Sequence, residues 1–335
     1  MDILRPSRRA TAATLLALTV AIGLTGCGGD EPATTTAEAG AAATGFPLTI
    51  THAFGSTTIA RKPQRVVALG WNDLAVANAL GADVVGAVKY FDPASPNLPY
   101  IKKPLPEEAL GLDAAQINLE KVASYKPDVI LATSSNQLKP ETYATLSKIA
   151  PVVAYAKSLY GSTMEEDAQL IGKAIGDDAG AQKLIDEAHA AIEKTKTDLP
   201  NIAGKTYLYG QARGEVIPLV VGADNLSTKF MGALGLKVPD KFANAPASDT
   251  LAPGTIGISY ERVPDLDTAN VLFMTFPSAA DQQTFEGNAL VKKLKVVSGG
   301  HYLATPLPAA QLLQGPNVAG VSWLVEQLKP TLQKL

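Results

Sequence analysis

A single cysteine, Cys27, leaves this chain of 335 residues with no partner for an internal disulfide. Histidine is almost as scarce. His52, His189 and His301 stand too far apart to spell a metal-ligand set, and each reads as a packing or surface residue. The sequence has no G-x-S-x-G elbow, no glycine-rich loop ending in Gly-Lys-Thr and no H-E-x-x-H helix, which leaves catalysis the weaker class of function. Neither sign of charge dominates: 29 Lys and Arg face 32 Asp and Glu, for a net −3. Without a basic block the chain is a poor match for nucleic acid. Long apolar runs are missing too. The longest, residues 10–24, has fifteen residues, too few to span a bilayer as a helix.

That run has a different use. Arg5, Arg8 and Arg9 precede it as a positive n-region, and it ends in Leu24-Thr25-Gly26-Cys27. This is the layout of a signal peptide, and its last four residues resemble a bacterial lipobox. Residues 1–26 are therefore expected to be cleaved and Cys27 to be lipidated. Residues 27–45, rich in Ala, Thr and Gly and free of large apolar side chains before the end, read as a flexible tether. The expectation is an exported chain, lipid-anchored at the outer face of the cytoplasmic membrane.

The rest is organised around residues 178–199. Ala181, Leu184, Ile185, Ala188, Ile192 and Thr195 recur at spacings of three and four, one apolar stripe on a helix that Pro200 ends. On both sides short apolar runs alternate with helical patterns, so the fold class is α/β. The long helix is either one crossover helix of a large domain or a rigid rod between two lobes, 46–176 and 200–335, with residues 177–199 as the link. Before it, strands are expected at 48–51 and 57–59, flanking a turn at Gly55 and Ser56, and at 65–69, 84–88, 128–132 and 152–155. Helices are expected at 73–80, capped by Asn72 or Asp73, at 118–125 and 140–149, and from a Ser162–Glu165 capping box to 176. After it, strands are expected at 206–209, 218–221, 270–275 and 302–305, with helices at 226–234, 259–266, 289–294 and 318–328. Alternation of this kind predicts a parallel sheet in each lobe and ligands at the carboxyl ends of the strands. Those ends carry Trp71, Asn72, Tyr90, Phe91, Tyr160, Gln211, Arg213 and Phe276, aromatic faces plus a guanidinium that suit a large, partly apolar anion. Trp323, at helical spacing with Val318, Val321 and Leu324, is expected in the core.

Asn118-Leu119-Glu120-Lys121-Val122 and Ser259-Tyr260-Glu261-Arg262-Val263 echo one another, each about ten residues before a strand, as equivalent helices of two copies. Together with the stretches from Thr51 to Ile59, from Pro63 to Leu69 and from Lys126 to Leu131, they resemble the ferric-siderophore substrate-binding proteins of ABC importers, a group that includes haem and vitamin B12 binders. The resemblance implies two Rossmann-like lobes with parallel sheets joined by one long backbone helix, and a monomer that binds an iron chelate in the interlobe cleft. It also implies delivery to a membrane permease, whose arginines would meet Glu120 and Glu261. Iron would enter only inside the chelate, with no resident cofactor. Two alternatives stand beside it: a haem binder using Tyr90 or Tyr160 as axial ligand, and an envelope interaction protein that kept the fold without transport.

Overall fold

Strands such as Val66-Val67-Ala68, apolar at every position, need cover on both faces, and a parallel sheet between helices supplies it. The computed structural model describes residues 45–90, 96–246 and 248–335; the expected signal peptide, all of the expected tether except Gly45, the expected lipidation site Cys27 and the candidate Phe91 lie outside the described residues. The N-terminal half opens with β1 (Leu48–His52), β2 (Gly55–Ile59), β3 (Val66–Ala68), α1 (Trp71–Ala79), β4 (Val84–Ala87) and α2 (Leu119–Ser124). It continues with β5 (Val129–Ala132), α3 (Pro140–Leu146), β6 (Val152–Ala154) and α4 (Met164–Ile175). The order β4-β3-β5-β6 is parallel throughout, as expected. The β1–β2 hairpin turns at Ala53 and Phe54 rather than at Gly55 and Ser56. The Phe54 ring stacks on Tyr143 at 4.9 Å, which fixes the corner there. The hairpin docks on β6 through Ala53 N–H to the Tyr155 carbonyl, 3.0 Å.

α5 (Asp178–Asp198) follows, and its buried residues are the six of the predicted stripe: Ala181, Leu184, Ile185, Ala188, Ile192 and Thr195. Burying Leu184, Ile185 and Ile192 stabilises by about 1.5–3 kcal/mol each before entropy is counted. α5 packs on α4 from the N-terminal half and on α11 (Val321–Leu332) from the C-terminal half. Gly172 of α4 meets Ala181 of α5 so closely that a Cβ at 172 would collide with it.

The C-terminal half contains β7 (Tyr207–Gln211), β8 (Val216–Val220), α6 (Leu226–Ala233), α7 (Asp240–Ala243), β9 (Thr255–Ser259) and β10 (Val271–Thr275). Then come α8 (Ala279–Gly287), α9 (Lys295–Ser298), β11 (Tyr302–Ala304), α10 (Leu307–Gln314) and α11. The sheet order is β11-β10-β7-β8-β9. Here the expectation of a parallel sheet needs correction: β11, β10 and β7 run parallel, β8 runs against them, and β9, antiparallel to β8, returns to their direction. Only Ala212 to Glu215 separate β7 from β8, too few residues for the crossover a parallel pair requires.

Several local readings also shift. α1 begins at Trp71 with Gly70 as N-cap, so neither Asn72 nor Asp73 caps it. The capping box of α4 is Thr163 with Glu166, one residue beyond the predicted pair, and Ser162 is buried. Residues Tyr260–Thr268 form a 3-10 helix, because Pro264 inside it cannot continue an α-helical ladder. Trp323 is half-buried against the Tyr100 ring at 5.7 Å rather than enclosed. Among the described residues no group of three His, Cys, Asp or Glu is placed to hold a metal, and no helix is long and apolar enough to cross a membrane.

Candidate ligand-binding site

Chain direction decides where a site can form. Each parallel strand ends at the same edge of its sheet, and the loops that leave that edge hold the candidate residues. In the N-terminal half β3 runs into Gly70, whose Cβ position is filled by Ser134, so no other residue fits there. One residue on, α1 starts. Its Asp73 carboxylate is 0% exposed and accepts from the Thr133 N–H (2.9 Å), Thr133 Oγ1 (2.7 Å), Ser134 N–H (3.3 Å) and Ser134 Oγ (3.1 Å). Burial pushes its pKa up, and these bonds oppose the rise. Asp73 thus locks the end of β5 onto the first turn of α1, and it fixes the two residues before it.

Of these, Trp71 is half-buried, donates from Nε1 to the Lys89 carbonyl (3.3 Å) and meets the Tyr90 ring edge-on at 6.3 Å. Tyr90 is only 4% exposed. Asn72 reaches across to the other half. It is buried, and its Oδ1 accepts from Asn317 Nδ2 of the other half at 3.0 Å. Gly315 sits against the side chains of Asn72 and Tyr160, with Cβ-position distances of 3.5 and 3.1 Å. Tyr160 holds φ at +59°, uncommon outside glycine, and its carbonyl accepts the Leu226 N–H at 3.1 Å. Asn72 and Tyr160 are therefore seam residues that fasten the halves.

Across the seam, β7 and β10 end around a cavity of about 130 Å³. Tyr209, Gln211, Arg213, Thr275 and Gln314 are among its lining residues. Thr275 Oγ1 is buried with no hydrogen-bond partner among the described residues. Tyr209 donates to the Ala310 carbonyl at 2.7 Å, which ties the cavity floor to α10. Gln211 and Arg213 are thus brought together, as the strand-end argument requires. Phe276 is not: it is half-buried against Phe285 at 5.6 Å and lines neither this cavity nor the larger one beside it.

Glu120 and Glu261 are both exposed, and each is the second residue of its helix. Each helix precedes a strand, β5 or β10, so each start lies toward the carboxyl edge of its sheet. The echo holds in position but not in helix type. Asn118 caps α2 by accepting the Lys121 N–H at 2.9 Å, whereas Ser259 makes no side-chain cap.

Residues 66–302, from the first core strand to the last, match the family model described as periplasmic binding protein. The chain belongs to the periplasmic binding protein family. Among curated members, the Fe(3+) dicitrate-binding periplasmic protein FecB of Escherichia coli is 30% identical over 219 residues, 60% of this chain and 68% of FecB. The Fe(3+)-citrate-binding protein YfmC of Bacillus subtilis is 27% identical over 258 residues, 73% of this chain and 74% of its own. Among solved structures, Streptococcus pneumoniae PiaA in complex with ferrichrome superposes with a TM-score of 0.69 at 25% identity, covering 85% of this chain and 99% of PiaA.

For this periplasmic binding protein, sequence reasoning missed Asp73 as the lock of the N-terminal strand ends, and it missed Thr275, Gln314 and Asn317 altogether. Thr275 was within reach, as the last residue of a predicted strand. Gln314 and Asn317 were not, because α10 itself was not predicted and its Pro306-Leu307-Pro308 start reads as loop.

Proposed function

We propose that this chain is the substrate-binding component of an ABC importer for a ferric siderophore or a related iron chelate. One observation carries the reading: a member of this family gathers Gln211, Arg213 and the Thr275 hydroxyl, unpartnered among the described residues, around one cavity at the carboxyl end of a sheet. The curated relatives FecB and YfmC, iron(III) dicitrate- and citrate-binding proteins, and the ferrichrome complex of PiaA support an iron chelate as ligand. The division into lobes 46–176 and 200–335, linked by residues 177–199, belongs to this proposal. So does docking of Glu120 and Glu261 on permease arginines, and so does export with Cys27 lipidated and the protein held as a monomer at the outer face of the cytoplasmic membrane.

The test is a titration of the purified protein with ferric citrate, ferrichrome and hemin, read by tryptophan emission. Ferric chelates should quench it saturably, mainly through Trp71 rather than Trp323, so Trp71→Phe should remove most of the signal. Arg213→Ala should weaken an anionic chelate by about 1.5–3 kcal/mol, the scale of a hydrogen bond to a charged group. A full panel without saturable quenching sinks the reading.

A further inference from the structure

The floor cavity is small for its task. At about 130 Å³ it lies well below the ~300–1,000 Å³ of small-molecule sites, so an iron chelate seated there must extend out of it. A cavity of about 740 Å³ lies beside it, and Arg213 and Leu251 line both. Its walls are Val216 of β8, Ile256 and Gly257 of β9, and the loop with Pro246, Ser248, Thr250 and Leu251. Val216 is 44% exposed, an apolar side chain left open to this space. Gly257 keeps the wall low, since a Cβ there would come within 3.1 Å of Val216 and 3.5 Å of Leu251.

The lining is electrostatically one-sided. It includes two guanidinium groups, Arg213 and Arg262, and two hydroxyls, Ser248 and Thr250, with no carboxylate among the residues that form it. Arg213 makes no ion pair among the described residues. Arg262 lies 3.2 Å from Asp265 Oδ2, but that carboxylate also binds Lys241 at 2.6 Å. One negative charge shared by two cations leaves the cluster net positive. A guanidinium presents a planar fork that matches a carboxylate in two-pronged fashion.

We propose that this rim cavity is a second subsite, in which Arg213 and Arg262 hold a free carboxylate arm of the chelate, so that the protein selects carboxylate-bearing ferric chelates over uncharged ones. The inference rests on the iron-chelate reading above and adds a chemical class to it. Arg262 carries the selectivity, because Arg213 faces the common floor as well.

The experiment titrates wild-type protein, Arg262→Gln and Arg262→Lys with ferric citrate and with ferrichrome, which has no free carboxylate, and follows thermal midpoints alongside. Arg262→Gln should weaken ferric citrate by about ten- to hundredfold, from the loss of a hydrogen bond to a charged group, and leave ferrichrome nearly unchanged. Arg262→Lys, which keeps the charge without the fork, should fall between. Equal losses for both chelates, no loss for either, or a wild type that binds ferrichrome but not ferric citrate overturns the subsite and leaves the parent reading standing. A wild type that binds neither chelate overturns both.

Discussion

At the scale of single residues, the buried acids say most. Asp73 has four donors for its charge, while Asp167 Oδ1 has no hydrogen-bond partner among the described residues. Burial first, and then the charge of Asp73, push the Asp167 carboxyl from 3.8 up to about 8. Asp167 therefore keeps its proton at neutral pH. A carboxyl raised in the folded state contributes stability that is complete below its unfolded value near 4 and is lost as pH rises through the folded value. Asp167→Asn keeps the neutral shape and cannot titrate. Its stability advantage over wild type should grow between pH 4 and 8 by up to about 1.4 kcal/mol per unit and level off above 8. Denaturant melts across that range measure it, and a pH-independent difference means that the carboxyl is solvated. None of this was legible in the sequence. Asp73 looked like a helix cap, and what buries it is the end of β5, sixty residues away.

At the scale of elements, the sequence spoke most clearly where one force acted alone. The stripe of α5 was read residue for residue because helical periodicity and burial coincide there. β3 and β5 were legible as continuous apolar runs for the same reason. β9 was hidden, because the Ser259 at its end also looks like a helix cap, and the antiparallel turn of β8 was passed over although Gly214 marks it with φ +55°. The tightest helix contact gives a direct test. Gly172→Leu should push α4 off Ala181 of α5 and destabilise by about 1–3 kcal/mol, the usual cost of overpacking. Thermal melts check this, and a neutral result shows that α4 can slide along α5 without loss.

At the scale of the whole molecule, polar contacts between the two halves among the described residues include Asn72 with Asn317, the Tyr160 carbonyl with the Leu226 N–H and the Gly161 carbonyl with Lys229 Nζ, and Lys329 of α11 meets Asp198 at the end of α5. Glu120 and Glu261 stand exposed, one in each half. Exposed ion pairs are worth only about 0.2–1 kcal/mol each, so in the proposed docking the two glutamates would supply register rather than strength. Reversing both, Glu120→Arg with Glu261→Arg, should leave fold and chelate affinity intact and abolish iron uptake in cells; normal uptake at normal expression makes them ordinary helix-start residues. The central claim, however, is capture of an iron chelate at the strand ends, and equilibrium dialysis against radioactive ferric citrate tests it most directly. Chelate capture there means retention of one iron per protein, weakened by Arg213→Ala and unaffected by the double reversal at Glu120 and Glu261. Retention of no iron, or retention indifferent to Arg213, would contradict it.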